Sequence, residues 1–274
     1  MTIELRPVTA VVGAEVAGVD LARPLDAATR DALLEAVVEF GVLFFRNQPI
    51  TPEQHIAFAR QMGRIQVPAF APKYGTKPER LLLDQGAPRG EGADVWHSDN
   101  TFMPEPPMGS ILKAVLLPEI GGDTCFANMH AAYDALSEPV RRLVDGLEAV
   151  HDITKPLAKA IEAGHSTADL AAMRKQWPPV THPVVRTHPV TGRKALFVNG
   201  NSTTHIVGLS ERENAALLPL LIDHVREPVF QCRFRWDVGS LVFWDNRSVQ
   251  HYAVPDYTTR RVMHRVTLDG DRPY

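Results

Sequence analysis

Prolines are the strongest constraint on this chain. There are 22 of them, spread along its whole length, and they favour many short elements joined by turns over long helices. Asp26 can cap a first helix, whose apolar face is Leu33, Leu34, Val37, Val38 and Phe40 and which Gly41 ends. Val42–Phe45 then reads as a buried strand. Thr51-Pro52 starts a second helix with proline in its tolerated first turn, running to Met62 and stopping at Gly63. Leu81–Asp84 and Ser110–Leu117 read as strands. The stretch from Asn128 to Asp145 reads as helical, broken near Ser137-Glu138-Pro139 and stopped by Gly146. Ser210 can cap a helix through Arg226 that Pro219 must kink or divide. The end of the sequence is strand-rich, over Val229–Trp236, Ser240–Trp244 and Arg261–Leu268, with turn chemistry at Asp237-Val238-Gly239.

Helices early and strands late predict a mainly β fold, a sandwich or jelly roll with peripheral helices, in one domain over residues 1–274. Neither a regular βαβ alternation nor a G-x-G-x-x-G is present, which argues against a dinucleotide fold. Residues 156–179 lack strand character and predict a lid or a peripheral helix.

Charge and composition exclude several roles. With 29 basic and 32 acidic residues, the net charge of −3 gives no footprint for nucleic acid or an anionic membrane. The apolar runs are strand-length, so no membrane span is expected. Met1–Arg6 carries no secretory leader pattern. Cys125 and Cys232 make no disulfide framework or zinc knuckle and are read as buried apolar-like residues. These readings fit the reducing cytoplasm.

Trp96-His97-Ser98-Asp99 is the sharpest local feature. If it is a strand, the imidazole and the carboxylate point to one side and can share a metal ion. A His-x-Asp/Glu pair occurs about once by chance in such a composition, and a hydrogen-bonded structural pair is the alternative. A distant histidine, as in Trp244-Asp245-Asn246-Arg247-Ser248-Val249-Gln250-His251, would complete a face of two histidines and one carboxylate. Such a face leaves three coordination positions open and suits non-haem Fe(II) with a chelating co-substrate and O₂. Zinc prefers a closed tetrahedron or one open position. Arg261 and Arg265 share a face of an extended strand, and two buried guanidiniums there call for anionic partners. In Gly121-Gly122-Asp123-Thr124 the glycines permit a tight turn, and the threonine hydroxyl can donate to a carboxylate.

Taken in order, these pieces resemble the taurine dioxygenase family of Fe(II)- and 2-oxoglutarate-dependent oxygenases, whose members include 2,4-dichlorophenoxyacetate dioxygenase and the alkylsulfatases. The resemblance also rests on the opening Gly13–Leu21, on His182-Pro183-Val184-Val185-Arg186-Thr187-His188-Pro189 and on Arg260-Arg261-Val262-Met263-His264-Arg265, and it covers nearly the whole chain. It implies a double-stranded β-helix, cupin-like in outline. It implies that His97, Asp99 and His251 bind iron, and that Thr124 and Arg261 hold the distal carboxylate of 2-oxoglutarate. Arg265 matches the arginine that meets the substrate's anionic group, or in some relatives the other end of the co-substrate. Asn100 and Phe70 fall where the family lines its substrate pocket. Val67-Pro68-Ala69-Phe70, Leu157 and Ser202 depart from the taurine-binding pattern. The implied reaction consumes O₂ and 2-oxoglutarate, releases succinate and CO₂, and hydroxylates a C–H bond.

The expected substrate is a small anionic compound, first a sulfonate or alkyl sulfate, with an aryloxyalkanoate or a biosynthetic intermediate as the alternative. A non-catalytic iron- and 2-oxoglutarate-binding protein and a cupin-like zinc hydrolase are the competing classes. By analogy the chain is expected to assemble as a homodimer or homotetramer. Arg260 is expected to face solvent, and His264 to pack on the face opposite Arg265. His55, His188 and His151-Asp152 read as structural, and Trp96 and Trp244 as core residues or walls of the iron pocket.

Overall fold

Local side-chain chemistry sets the helix starts in the computed structural model, which describes residues 3–67, 79–86 and 94–274. Helix α1 (Ala27–Phe40) begins where Asp26 accepts a hydrogen bond from Thr29 N at 2.8 Å, and it ends at Gly41, whose φ is 73°. Helix α2 (Pro52–Met62) is opened by a reciprocal cap between Thr51 and Gln54 and ended by Gly63. The helical stretch after residue 128 is two short helices, α3 (Met129–Ala135), capped by Asn128, and α4 (Glu138–Val144), with the break at Ser137 as expected. Residues 156–179 contain most of α5 (Thr154–Glu162) and all of α6 (Leu170–Gln176). Helix α7 (Glu211–Asp223) is capped by Ser210 and runs through Pro219 without being divided, and a 3-10 turn at His224–Arg226 completes it.

The strands are β1 (Glu4–Pro7), β2 (Ala14–Ala17), β3 (Val42–Phe45), β4 (Ile65–Gln66), β5 (Leu81–Gln85), β6 (Gly109–Leu116), β7 (Thr124–Asn128), β8 (Glu148–His151), β9 (Val180–Pro183), β10 (Val185–Thr187), β11 (Lys194–Leu196), β12 (Thr203–Ile206), β13 (Gln231–Phe234), β14 (Leu241–Asp245), β15 (Val249–Ala253) and β16 (Arg261–Leu268). Eight of them form a large sheet in the order β1-β2-β3-β14-β6-β16-β4, with β5 also along β16. Among the described residues, only β2 and β3 pair in parallel within it. A smaller sheet has the order β13-β7-β15, a third β12-β8-β9, and β10 and β11 pair by themselves.

All four residues of β3 are buried because both faces of the large sheet are covered. Leu43 and Phe45, with Leu241 and Phe243 of β14 and Val266 and Leu268 of β16, pack against α1 and α2 through Leu33, Val37, Ile56 and Phe58. Val42 and Phe44, with Val242, Trp244 and Met263, face the other way. They pack on Phe126, Cys232 and Phe234 of the small sheet. Burial of Cys232 pushes its thiol up to about 12, so it packs as an apolar group, and both cysteines are free. Architecturally this is a β protein with helices on the outside. Among the described residues no helix is long and apolar enough to cross a membrane.

Strand alternation on β16 has the consequence that matters for the site. Met263 packs into the inner cluster while Val266 and Leu268 pack under the helices, so Arg261 and Arg265 share the inner face with Met263. His264 lies on the opposite face, where Arg80 Nη1 is 3.0 Å from its Nδ1. Arg260 is exposed and pairs with Asp84.

Candidate active site

His97, Asp99 and His251 converge on the inner side of the two sheets. His97 is not within a strand. It makes one antiparallel bridge with His251 of β15, in which His97 N donates to His251 O at 3.1 Å and His251 N to His97 O at 2.8 Å. Beyond it the chain turns, and Asn100 adopts a left-handed φ of 51°, which asparagine tolerates better than most residues. Asp99 is therefore aimed by a turn, and the expected strand alternation from His97 to Asp99 is corrected. The residues meet all the same. Nε2 of His97 lies 3.7 Å from Asp99 Oδ1, and Nε2 of His251 lies 3.8 Å from the same oxygen. One ligand atom from each residue falls within 4.8 Å of the others.

The protonation states suit a cation. Nδ1 of His97 is 2.6 Å from Val95 O, an oxygen that can only accept, so the ring proton sits there and the Nε2 lone pair faces Asp99. Burial pushes both imidazoles down, that of His251 to about 3, and keeps them neutral. For Asp99, burial raises the carboxyl, but Arg265, His251, His97 and the Ser110 hydroxyl together more than offset it and hold the group at about 2. Arg265 Nη1 lies 2.9 and 3.0 Å from the two Asp99 oxygens, and Ser110 donates to Oδ2 at 3.2 Å. Two neutral imidazoles and one carboxylate form a donor set that can hold a divalent metal with coordination positions to spare. Trp244 lies beside His251, its ring centroid 4.8 Å away, and Trp96 stacks on Tyr252 at 5.7 Å.

A second polar cluster lies at the β7 and β16 ends. Thr124 and Arg261 are both buried. Nε and Nη2 of Arg261 have no hydrogen-bond partner among the described residues. Desolvated guanidinium donors are costly until an anion meets them. Trp236 touches both residues. Its Nε1 donates to Thr124 Oγ1 at 3.0 Å, and its ring lies 6.0 Å from Arg261 Cζ. Since Trp236 uses a lone pair of the threonine hydroxyl, the hydroxyl proton is left to donate elsewhere. Gly122 closes the cluster. Its φ is 74°, and a Cβ there would sit 3.2 Å from Cδ and Nε of Arg261. The cluster can seat a carboxylate between Thr124 and Arg261.

Other expected site residues are placed less fully. Arg265 is on the predicted face, and the partner it has here is Asp99. Asn100 is half-buried in the turn just past Asp99. Phe70 lies outside the described residues. His55, His151 and His188 are buried and structural, bonded to Ile111 O, Thr101 Oγ1 and Asp245 Oδ2 respectively. The sequence reading missed Trp236, Ser110 and Asn246 as parts of the site. Asn246 sits in a quoted motif, between two residues of opposite charge, and that position was its only signal.

Residues 4–267 match the family model described as Taurine catabolism dioxygenase TauD, TfdA family. The chain belongs to this family. It is accordingly a 2-oxoglutarate-dependent dioxygenase that uses Fe(II), 2-oxoglutarate and O₂, and the buried His-Asp-His cluster fits that chemistry. The chain is 39% identical to the α-ketoglutarate-dependent sulfate ester dioxygenase of Pseudomonas putida, across 100% of this chain and 91% of that protein. It is 34% identical to the α-ketoglutarate-dependent 2,4-dichlorophenoxyacetate dioxygenase of Cupriavidus pinatubonensis, across 99% of each. Among solved structures, a putative α-ketoglutarate-dependent taurine dioxygenase from Burkholderia xenovorans superposes with a TM-score of 0.85 at 38% identity, covering 99% of this chain and 94% of that one. AAD-2, in complex with Mn(II) and N-oxalylglycine, gives 0.85 at 32% identity, covering 100% and 99%.

Proposed function

We propose that His97, Asp99 and His251 hold the Fe(II), that Thr124 and Arg261 hold the distal carboxylate of 2-oxoglutarate, and that the substrate is a small organic anion, first a sulfate ester or sulfonate. The observation that carries this reading is the convergence of three buried ligand atoms within 4.8 Å, beside Arg265, which shares a face of β16 with Arg261. On the same reading, the large and small sheets are the walls of a double-stranded β-helix, the jelly roll, and residues 1–274 are one domain. Helices α5 and α6 form a cover over the pocket. Trp177, at the end of α6, stands edge-on to Phe102 at 5.7 Å, which ties that cover to the loop carrying Asp99.

Iron with 2-oxoglutarate supplies O₂ activation, with succinate and CO₂ released and a substrate C–H bond hydroxylated. The protein's residues do the rest. His97 and His251 present neutral nitrogens over the whole working range of pH. Arg265 keeps Asp99 ionised in a buried place. Thr124 and Arg261 fix one end of the co-substrate, so the other end is presented toward the metal in one orientation. Trp244 and Phe126 pack beside His251 with apolar surface and help to exclude water. Nε of Arg265 is buried and free of partners among the described residues, a donor that an anionic substrate could use. If the hydroxylated carbon carries a sulfate oxygen, the C–O bond breaks to give a carbonyl compound and inorganic sulfate.

The relatives' names support a sulfate ester first, and the 2,4-dichlorophenoxyacetate dioxygenase similarity supports a carboxylate second. The test is O₂ uptake and succinate release by anaerobically iron-loaded protein, with alkyl sulfates, sulfonates and aryloxy acids added one at a time. Stimulation by an alkyl sulfate or sulfonate, with sulfur released as sulfate or sulfite, is expected. Stimulation by aryloxy acids alone would replace the first choice by the second. No stimulation by any anion would overturn the role given to Arg265.

A further inference from the structure

Asn246 takes no part in the chemistry above, yet every polar atom of its side chain is spent on or beside the loop that carries Asp99. Its Oδ1 accepts from Asp99 N at 2.7 Å. Its Nδ2 donates to Asp99 O at 3.0 Å and to Pro107 O at 3.0 Å. Its main-chain N–H donates to Met108 O at 2.8 Å. The residue is 1% exposed, so none of these bonds competes with water.

Asp99 needs such a partner. It lies past the single bridge at His97, in a turn where no neighbouring strand pairs with its peptide groups. A carboxamide offers a donor and an acceptor side by side, as a passing strand would. Asn246 thus replaces the missing strand and fixes the Asp99 main chain from both sides. Asn246 is itself held rigidly. The adjacent Asp245 is buried, binds Arg247 through bonds of 2.8 and 2.7 Å, and meets His188 at 3.0 Å. The order of support runs from this buried charge cluster to Asn246, then to the Asp99 main chain, and so to the carboxylate.

We propose that Asn246 is a positioning residue for the metal, setting where the Asp99 carboxylate stands relative to His97 and His251. The inference rests on the reading that these three residues bind iron.

The experiment compares metal-free wild-type protein with Asn246→Ala, Asn246→Asp, Thr101→Ala and His251→Ala. Asn246→Asp keeps the acceptor for Asp99 N–H but turns a second oxygen toward two carbonyls. Thr101→Ala removes buried bonds to His151 and Asn199 two residues beyond Asp99, so it loosens the same loop without touching the Asp99 main chain. Mn(II) affinity is read from the resonance of the free ion, geometry from the d–d absorption of bound Co(II), and fold from the thermal midpoint. Both Asn246 variants are expected to unfold cooperatively, to bind Mn(II) roughly 10–100-fold more weakly and to shift the Co(II) bands. Thr101→Ala is expected to keep its Mn(II) affinity within about threefold while its midpoint falls.

An Asn246→Ala protein with Mn(II) affinity within about threefold of wild type overturns the proposal, as does an equal loss in Thr101→Ala. If Asn246→Ala does not fold, Asn246→Asp decides. Failure of both to fold also overturns it, since the residue then holds the fold rather than the ligand. His251→Ala separates the two readings, because wild-type metal binding in that variant would sink the iron triad itself.

Discussion

Gly122→Ala is the perturbation whose two effects can be pulled apart. Gly122 has a φ of 74°, a conformation that costs an L-residue about 1–2 kcal/mol. The added Cβ would also stand 3.2 Å from Arg261 Cδ and Nε and 3.3 Å from Pro118 Cγ. The arginine must then give by a few tenths of an ångström, away from the position in which Thr124 and Arg261 can grip one carboxylate together. Losing alignment in a charge-assisted bond of this kind costs about 1.5 kcal/mol, close to a tenfold change in affinity. Gly146 supplies the control. Its φ is 81°, and a Cβ there meets nothing within 4 Å. Gly146→Ala therefore carries the backbone strain without the contact.

Thermal denaturation of the metal-free proteins should lower both midpoints by a similar amount, about 2–4 °C per kcal/mol in a chain of this size. Steady-state succinate formation with varied 2-oxoglutarate should raise the 2-oxoglutarate KM about tenfold in Gly122→Ala alone. The KM for the primary substrate should hold. The reasoning is refuted if the 2-oxoglutarate KM of Gly122→Ala stays within about twofold of wild type, or if Gly146→Ala raises it equally.

Trp236→Phe keeps an aromatic ring, though a smaller one, and removes the donor to Thr124. The 2-oxoglutarate KM should rise about 2–10-fold with little change in kcat, and an unchanged KM would end the argument for that hydrogen bond. Arg261→Gln removes a buried guanidinium whose Nε and Nη2 have no hydrogen-bond partner among the described residues. It should abolish saturation by 2-oxoglutarate in the accessible range while leaving Mn(II) binding in place, and joint loss of both would contradict the separation of the two clusters. The pH dependence of folding should follow the buried His55. Burial depresses this imidazole to about 3, so the unfolded chain takes up the proton first. Stability from this group is full above pH 6.5 and falls as the pH is lowered from there toward 3. Thermal midpoints of metal-free protein that stay flat from pH 6.5 to 4 would refute the assignment.

What could be read ahead of the fold was local. Asp26, Thr51 and Ser210 announce helix starts because each cap is satisfied within three residues, and Gly41 and Gly63 mark ends for the same reason. The alternation on β16 also held, since Arg261, Met263 and Arg265 need only strand geometry to share a face. Residues answering to distant partners were illegible. Nothing near Trp236 signals that its donor is used by Thr124, 112 residues away, and nothing near Asn246 signals Asp99, 147 residues away. His97-Ser98-Asp99 meets His251 through a turn rather than through strand alternation, because that turn answers to distant contacts from Asn246, Val249 and His251. Strands β7 and β15 were missed because Asn128, Gln250 and His251 interrupt the apolar pattern. Those polar side chains bond to Val11, cap α3, reach Val198 or face Asp99.

The clamp on Asp99 has a bearing on how the protein comes into being. One ligand loop is made before the chain is half synthesised, whereas Asn246 and Arg265, which hold it, follow 147 and 166 residues later. β14 must slot between β3 and β6, both made much earlier, before either sheet face is complete. Such closures over long sequence distances are slow steps in folding. On the proposed ligand set, a growing chain lacks the third ligand until His251 has left the ribosome. On that reading, redox-active iron meets a complete ligand set only in a nearly finished chain, after all four tryptophans have been made.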